Sequence, residues 1–330
     1  MNGANLLNAK DRKVLAELDF DARQSNSQIG RKVGLSKEVV HYRIQKLLEE
    51  GVILRFHTVV NYFKLGIVKF KLYLRLTNAS RKKVEEIATY FYKHPATEWV
   101  VITTGRWDMI IGFLVRNVNE FDDELREVFH RFSPYIQEKS VTQTVYLAHQ
   151  TRSFLKPQKS ISQVVYHTSK DKQEIIDGVD LELLRLLANN ARMPVVEFAG
   201  RLHVTPRIVQ YRMKELERKK IILAYKAHFD SKKIGRIFCK AYLNFSKITQ
   251  PVLDNFIEYV AAIPGAIWPQ RVMGGWDFEL DFELENYDDF QGVLLELKEM
   301  FSELIKSQDF CIVSKEFKLD LFPRAVREIK

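Results

Sequence analysis

Lys37, His41, Gln45 and Lys46 fall on one stretch of the chain, and Arg207, Gln210 and Lys214 on another. These side chains suit a duplex. Glutamine can contact adenine with two hydrogen bonds and arginine can do the same with guanine. Lysine suits phosphate, which positions a protein without reading sequence. The two stretches are versions of one another: VVHYRIQKL (39–47) returns as IVQYRMKEL (208–216), with Val40, Tyr42, Arg43 and Leu47 recurring as Val209, Tyr211, Arg212 and Leu216. Tyr42 and Tyr211 can stack on sugar, donate to phosphate or pack against a following strand. Arg43 and Arg212 flank the apolar stripe and either brace the helix or reach phosphate.

Both stretches need a helix to present these groups on one face. Val40, Ile44 and Leu47 lie at i, i+4 and i+7, an inward stripe that leaves Lys37, Glu38, His41, Tyr42 and Gln45 on other faces. Ser36 and Thr205 are placed to cap the two helices, with Pro206 at the first helical position of the second. Before each lies a shorter helix. One is announced by Ser25 with Gln28 three residues on, and the other starts with Pro194. Gly34 permits the tight turn between helices. A short helix, a turn and a longer helix with a polar outer face form a helix-turn-helix pattern. GVILRFHTVV and KIILAYKAHF then read as wing strands.

The repetition extends well beyond the helix. Asp11 falls on Asp180, an offset of 169, and the same offset carries Ala22-Arg23 onto Ala191-Arg192. It also carries Gly66 onto Gly235, Gly105, Trp107 and Asp108 onto Gly274, Trp276 and Asp277, and Phe121 onto Phe290. One offset held over about 110 residues marks a tandem duplication of a unit far longer than a solenoid repeat. The back of each unit reads strand, helix, strand, strand, helix, strand, the order of a ferredoxin-like sandwich. The expected fold is therefore α+β: a winged helix-turn-helix followed by a ferredoxin-like βαββαβ domain, the pair occurring twice. The expected boundaries are 1–62 and 63–150 for the first pair, a polar linker over 151–178, then 179–231 and 232–330.

The formal net charge of +9 is concentrated. Residues 21–57 hold seven Lys/Arg against four Asp/Glu, and residues 190–226 hold nine against three. Those excesses of +3 and +6 account for the whole +9, as a phosphate-binding surface requires. Apolar residues at 46% suffice for real cores. Cys239 and Cys311 are too few for a disulfide framework and read as reduced thiols of a cytoplasmic protein. No secretory leader or membrane span is apparent. There is no P-loop and no dinucleotide fingerprint, and the eight histidines show no metal-ligand spacing. No cofactor, metal or catalytic set is expected.

GLSKEVVHYRIQKLLEEGVI followed by a βαββαβ domain with TGRWD at its central turn resembles the Lrp/AsnC family of transcription regulators. The second unit, with HVTPRIVQYRMKELERKKII and GGWD, fits the same pattern, although Lys220 stands where the wing glycine is expected. The resemblance implies double-stranded DNA as partner and a regulatory (RAM-type) domain that self-associates and responds to a small molecule such as an amino acid. The DNA-facing positions are then Ser36, Lys37, His41, Tyr42, Gln45 and Lys46, with Thr205, Arg207, Gln210, Tyr211 and Lys214. The effector positions are Gly105, Asp108, Gly274 and Asp277. There a glycine frees backbone amides for a carboxylate and an aspartate meets an ammonium group. The plainer alternative is a glycine turning a hairpin and an aspartate capping a strand end.

Different outer residues on the two helices predict an operator with unlike half-sites. A second expectation concerns the sheets. Trp276, Phe278, Leu280, Phe282 and Leu284 share one strand face, and Asp277, Glu279, Asp281 and Glu283 the other. Lys69, Lys71 and Arg75 line a strand of the first unit, so the basic and acidic sheets are expected to pair. The enzyme alternative is a siroheme decarboxylase, which resembles these regulators in fold and occurs as paired or fused subunits. Its characteristic His-Tyr-Arg run is absent from ATEWVVITTGRWDMIIGF and from GAIWPQRVMGGWDFELDF. A third reading, an adaptor that uses winged helices for protein contacts, differs from DNA binding in its salt dependence.

Overall fold

In the computed structural model, which describes residues 7–155, 164–246 and 249–323, each half opens with three helices. Asn8 caps α1 (Ala9–Phe20) by accepting the Lys10 and Asp11 amides. Ser25 and Gln28 form the expected reciprocal cap on α2 (Asn26–Val33), and Gly34 closes that helix in the left-handed region at φ 71°. Ser36 caps α3 (Lys37–Glu49), whose buried residues are Val40, Ile44 and Leu47. The second half repeats this as α6 (Gly178–Asn189), α7 (Val195–Leu202) and α8 (Pro206–Arg218). Pro194 takes the cap position before α7 rather than the first helical position, and it offers no side-chain hydrogen bond there. Lys220 adopts the left-handed conformation of its counterpart Gly51, at φ 58° against 64°, a strain on the order of 1 kcal/mol.

The strands expected to be local wings instead join the two halves. β1 (Ile53–Val60) and β7 (Ile222–Phe229) pair antiparallel as a two-stranded ribbon. As a result each winged-helix core is completed by the other unit. Ala227 and Phe229 pack with Val14, Leu15, Ile44 and Leu47, while Val60, Tyr62 and Phe63 pack with Leu184, Phe198 and Val209.

The remaining strands carry the βαββαβ order twice. The first set is β2 (Val68–Leu76), α4 (Arg81–Lys93), β3 (Thr97–Gly105), β4 (Met109–Val115), α5 (Val118–Phe132) and β5 (Ile136–Gln150). Between the sets, within the stretch read as linker, β6 (Val164–Thr168) pairs with β5. The second set is β8 (Ile237–Phe245), α9 (Gln250–Ala262), β9 (Gln270–Gly274), β10 (Phe278–Leu284), α10 (Tyr287–Met300) and β11 (Ile305–Leu319). The strand order β2-β4-β3-β11-β8-β10-β9-β5 closes on itself, because β5 also pairs with β2. The seams are reciprocal: β5 reaches β9 of the second half and β11 reaches β3 of the first. Closure leaves none of these eight strands at an outer end of the sheet.

Outside the sheet, Phe91, Phe113 and Phe121 pack beneath α4 and α5. Phe256, Phe278 and Phe290 do the same beneath α9 and α10. Inside lie Tyr73, Trp107, Tyr242, Trp276 and Cys311. Trp276 therefore departs from the expected face: β10 begins only at Phe278, and the preceding turn sends the indole inward with Glu279. Phe278, Leu280, Phe282 and Leu284 keep the outer face as expected.

The expected basic-to-acidic pairing occurs at one point. Lys71 donates to Glu279 Oε2 at 2.5 Å across the two halves, with both side chains buried. Lys69 instead pairs with Glu98 of its own half, and Lys240 pairs with Asp281. Arg75 stays exposed. The acidic face thus draws its countercharge from several places, Asp281 from Lys240, Glu279 from Lys71 and Lys240, and Glu283 from Arg152, which the strand alternation by itself does not reveal.

Candidate nucleic-acid interface

The third helix of each trio is held from behind. Arg43 on α3 reaches Asp11 at 2.6 Å and Asn8 at 3.3 Å, and Arg212 on α8 reaches Asp177 and Asp180 at 2.7 and 2.8 Å. Of the two roles read from sequence for these arginines, the structure shows the bracing one. It ties the presented helix to the start of α1 or α6 by charge-assisted bonds.

The outward groups face solvent. Ser36, Lys37, His41, Tyr42, Gln45 and Lys46 are all exposed, as are Thr205, Arg207, Gln210, Tyr211 and Lys214. Tyr42 and Tyr211 are 66% and 65% exposed, so neither packs on a strand. Ser36 and Thr205 use their hydroxyls to accept the Val39 and Ile208 amides. His41 Nδ1 lies 3.4 Å from Asn26 of α2, and Lys46 lies 3.7 Å from Glu50.

The two winged modules are fixed to each other by matching bonds. Arg23 Nη1 donates to the Ala191 carbonyl at 2.5 Å, and Arg192 Nη1 donates to the Ala22 carbonyl at 2.5 Å. The Ala22 amide donates to the Tyr225 carbonyl and the Ala191 amide to the Phe56 carbonyl, at 2.9 and 3.0 Å. Below them, Arg152 bridges Asp19 of α1, at 2.7 Å, to Glu283 of the closed sheet, at 2.6 Å.

The four effector positions serve contacts within the chain. Asp108 accepts the Leu76 amide and Asp277 the Phe245 amide, each at 2.7 Å. A Cβ on Gly105 would lie 2.7 Å from the Phe310 carbonyl of β11, and one on Gly274 would collide with the Val141 carbonyl of β5. Both glycines have φ 124°. In this structure the turns are where each half meets the other's last strand.

Sequence spacing gave no sign of two further groupings. His94 Nε2 lies 3.0 Å from Glu124, and with Glu127 these residues can offer three ligand atoms to a cation. They come from α5 and the end of α4, about 30 residues apart, so no short motif marks them. His57, His149, His167 and His228 converge between the winged modules and the closed sheet. His57 and His149 line a small cavity with Lys69, Glu98, Trp99 and Trp268. His57 Nδ1 and both His149 nitrogens lack a hydrogen-bond partner among the described residues. Burial, then neighbouring cations and histidines, holds both rings well below the ordinary histidine range. Burial and Lys69 push His167 down to about 3.

Two braced helices with free polar faces, joined in one rigid pair above a closed sheet, define a DNA-binding protein of the winged helix-turn-helix class. Residues 7–53 match the model for winged helix-turn-helix DNA-binding domains, and residues 176–217 match the AsnC-type helix-turn-helix domain. An uncharacterised HTH-type transcriptional regulator of Pyrococcus abyssi is 35% identical over 131 residues, 38% of this chain and 87% of that protein. The HTH-type transcriptional regulator FL11 of Pyrococcus furiosus is 32% identical over 120 residues, 36% of this chain and 78% of that protein. The chain belongs to the Lrp/AsnC family of HTH-type transcription regulators, with two tandem units, and is a DNA-binding regulator of transcription. Its whole architecture is similar to the crystal structure of the siroheme decarboxylase NirDL, with TM-score 0.63 and 13% identity over 98% of both chains. At that identity the likeness is one of fold. No helix among the described residues is long and apolar enough to cross a membrane.

Proposed function

We propose that one chain acts on DNA as a dimer does, presenting α3 and α8 to two half-sites of unlike sequence, as a cytoplasmic regulator without enzymatic activity. The reciprocal Arg23 and Arg192 bonds support this reading, because they set the two helices at a fixed separation. Gln45 on α3 and Arg207 and Gln210 on α8 are the base readers, with preferences for adenine, guanine and adenine. Lys37, Lys46 and Lys214 take phosphates, His41 supports the α2–α3 turn, and the two tyrosines meet the sugar-phosphate backbone. Selection of bound duplexes from a random pool is the test. Two different half-motifs at constant spacing are expected, with affinity falling steeply as salt rises. A perfect palindrome protected equally by both modules contradicts the reading.

Response to an amino acid is assigned to the Gly105–Asp108 and Gly274–Asp277 turns, where further chains would associate. It requires a ligand that competes with the Leu76 and Phe245 amides or uses the outer faces of the turns. Calorimetric titration with the common amino acids, alone and with operator DNA, tests it.

The full-length likeness to a siroheme decarboxylase favours one rival, a tetrapyrrole enzyme. The missing His-Tyr-Arg run and the free recognition faces speak against it. Absorbance titration with an iron tetrapyrrole separates the two: a saturating spectral shift with no DNA binding would replace the regulator reading.

A further inference from the structure

The internal repeat leaves one strand edge without its counterpart. In the first half, Tyr146–Gln150 of β5 pairs antiparallel with β6. The same offset leads to Lys315–Leu319 of β11. That stretch pairs with β3 on one edge, while its pairing with β8 on the other edge ends at Ile312. Beyond Ile312 no strand follows on that side among the described residues. A groove of ≈ 590 Å³ runs there between β11 and β1.

Cationic side chains occupy the place of the absent strand's donors. The Val145 carbonyl of β5 accepts the Ser169 amide at 2.9 Å and the Thr168 hydroxyl at 3.1 Å. Its counterpart, the Ser314 carbonyl, accepts Lys232 Nζ at 2.6 Å. Arg55 donates to the Leu319 carbonyl. A strand entering the groove would supply main-chain donors for these carbonyls and release both cations.

The chemistry of the occupant follows from the same comparison. His167, a buried residue of β6, packs on Tyr62, Phe63 and His149. The matching positions in the second half are Ser231, Lys232 and Lys318, all lining the groove. Two aromatic neighbours are thus replaced by the Ser231 hydroxyl and the Lys232 ammonium, while Lys318 Nζ turns to the His94 carbonyl and the Thr97 hydroxyl, each at 2.9 Å. The carboxylates nearby are engaged: Glu283 by Arg152 and Ser231, Glu316 by His228 and Trp99, and Asp230 by the Lys232 and Lys233 amides. Asp230 accepts only main-chain amides and keeps its charge, but Arg55, Lys232 and Lys315 line the groove without an ion pair among the described residues, so the groove has positive charge to offer.

We propose that this groove docks an extended acidic segment of a partner protein, which adds antiparallel to Lys315–Leu319 as β6 adds to Tyr146–Gln150 and carries Asp or Glu at the His167 position. Main-chain bonds give such strand addition its affinity, and alternate side chains give it selectivity.

The probe is a fluorescent peptide of residues 163–170 bearing H167E, QVVYETSK, titrated into the full chain by anisotropy, with hydrogen exchange as second readout. Saturable binding is expected, with new amide protection confined to Ser314–Leu319. K232E, at an exposed residue, should weaken binding about tenfold, roughly 1.4 kcal/mol. A peptide with lysine in place of that glutamate should bind K232E better than it binds the native chain. No saturation below millimolar peptide, or protection elsewhere, overturns the proposal. So does protection, without peptide, of the amides in this stretch that β3 does not hold, whether it rises with protein concentration, which assigns the edge to a second copy, or vanishes on deleting residues 324–330, which assigns it to the chain itself.

Discussion

Lys71 and Glu279, one from each half of the chain, meet at 2.5 Å inside the closed sheet, and the same carboxylate accepts the Tyr73 hydroxyl at 2.5 Å and the Trp276 indole N–H at 3.1 Å. Burial opposes both charges. It brings Lys71 down to about 8 against the pull of Glu279, while Lys71, Lys240 and Tyr73 outweigh it at Glu279 and hold that carboxyl at about 2. The pair is therefore ionised at neutral pH. Removing Lys71 leaves Glu279 only the more distant Lys240, at 3.5 Å, in a dry interior, at a cost that approaches the about 3–5 kcal/mol of breaking a buried pair. K71M alone should lower the urea midpoint sharply, and K71M with E279L should recover most of the loss. A neutral K71M would show that the pair is not buried in solution.

The arginine pair across the winged modules makes a different prediction. Arg23 and Arg192 donate to carbonyls of the opposite half, and a lost charged hydrogen bond costs about 1.5–3 kcal/mol. R23A with R192A should leave the closed sheet intact, since it stands on its own strand pairing. What should change is the fixed separation of the two recognition helices. Selected operators should then tolerate several half-site spacings where the native chain accepts one. Unchanged spacing selectivity would show that the β1–β7 ribbon alone sets the geometry.

Acid should loosen the molecule before its carboxylates titrate. His57, His149 and His167 all have depressed affinity for protons in the folded chain, with burial as the leading cause. Below about pH 6.5 the unfolded chain takes up protons that the folded chain does not, so stability is full above that pH and lost as pH falls toward 3. Each such histidine costs the fold about 1.4 kcal/mol per pH unit on the acid side. Calorimetry at pH 7, 6 and 5 should show a falling Tm, and H167Q should flatten the slope by about one proton. A Tm that stays level to pH 5 would place these rings in water.

The helices, their caps and the duplication were legible in the sequence because each depends on short-range rules. Ser25 with Gln28, Ser36 and Thr205 act within one turn of backbone, and one constant offset aligns the halves. The partner of each strand was not legible. GVILRFHTVV looks like a wing because nothing local says that β1 will choose β7, 169 residues away, over a hairpin neighbour. The polar stretch after Gln150 hides β6, whose only apolar run, Val164-Val165-Tyr166, is too short to signal a strand. The glycine–tryptophan–aspartate turns are visible in the sequence, but their use at the seam between halves depends on β5 and β11, which arrive from the opposite unit. The histidines looked scattered because only the closed sheet gathers them.

The recognition helices allow the sharpest separation of roles. R207A removes a group able to hold guanine with two bonds, so it should cost about 1–3 kcal/mol and relax preference in one half-site only. Q45A should do the same in the other half-site, at an adenine. K214A removes a phosphate contact instead. It should weaken all sequences alike and reduce the slope of log affinity against log salt by about one. R212A is the internal control: Arg212 faces Asp177 and Asp180 rather than solvent, so its loss should lower stability without changing which bases are chosen. Binding isotherms for the four variants on native and half-site-mutated operators, at two salt concentrations, distinguish these outcomes. If R207A and Q45A weaken both half-sites equally, the two helices do not read separate sequences, and the unlike-half-site reading fails even though the chain binds DNA.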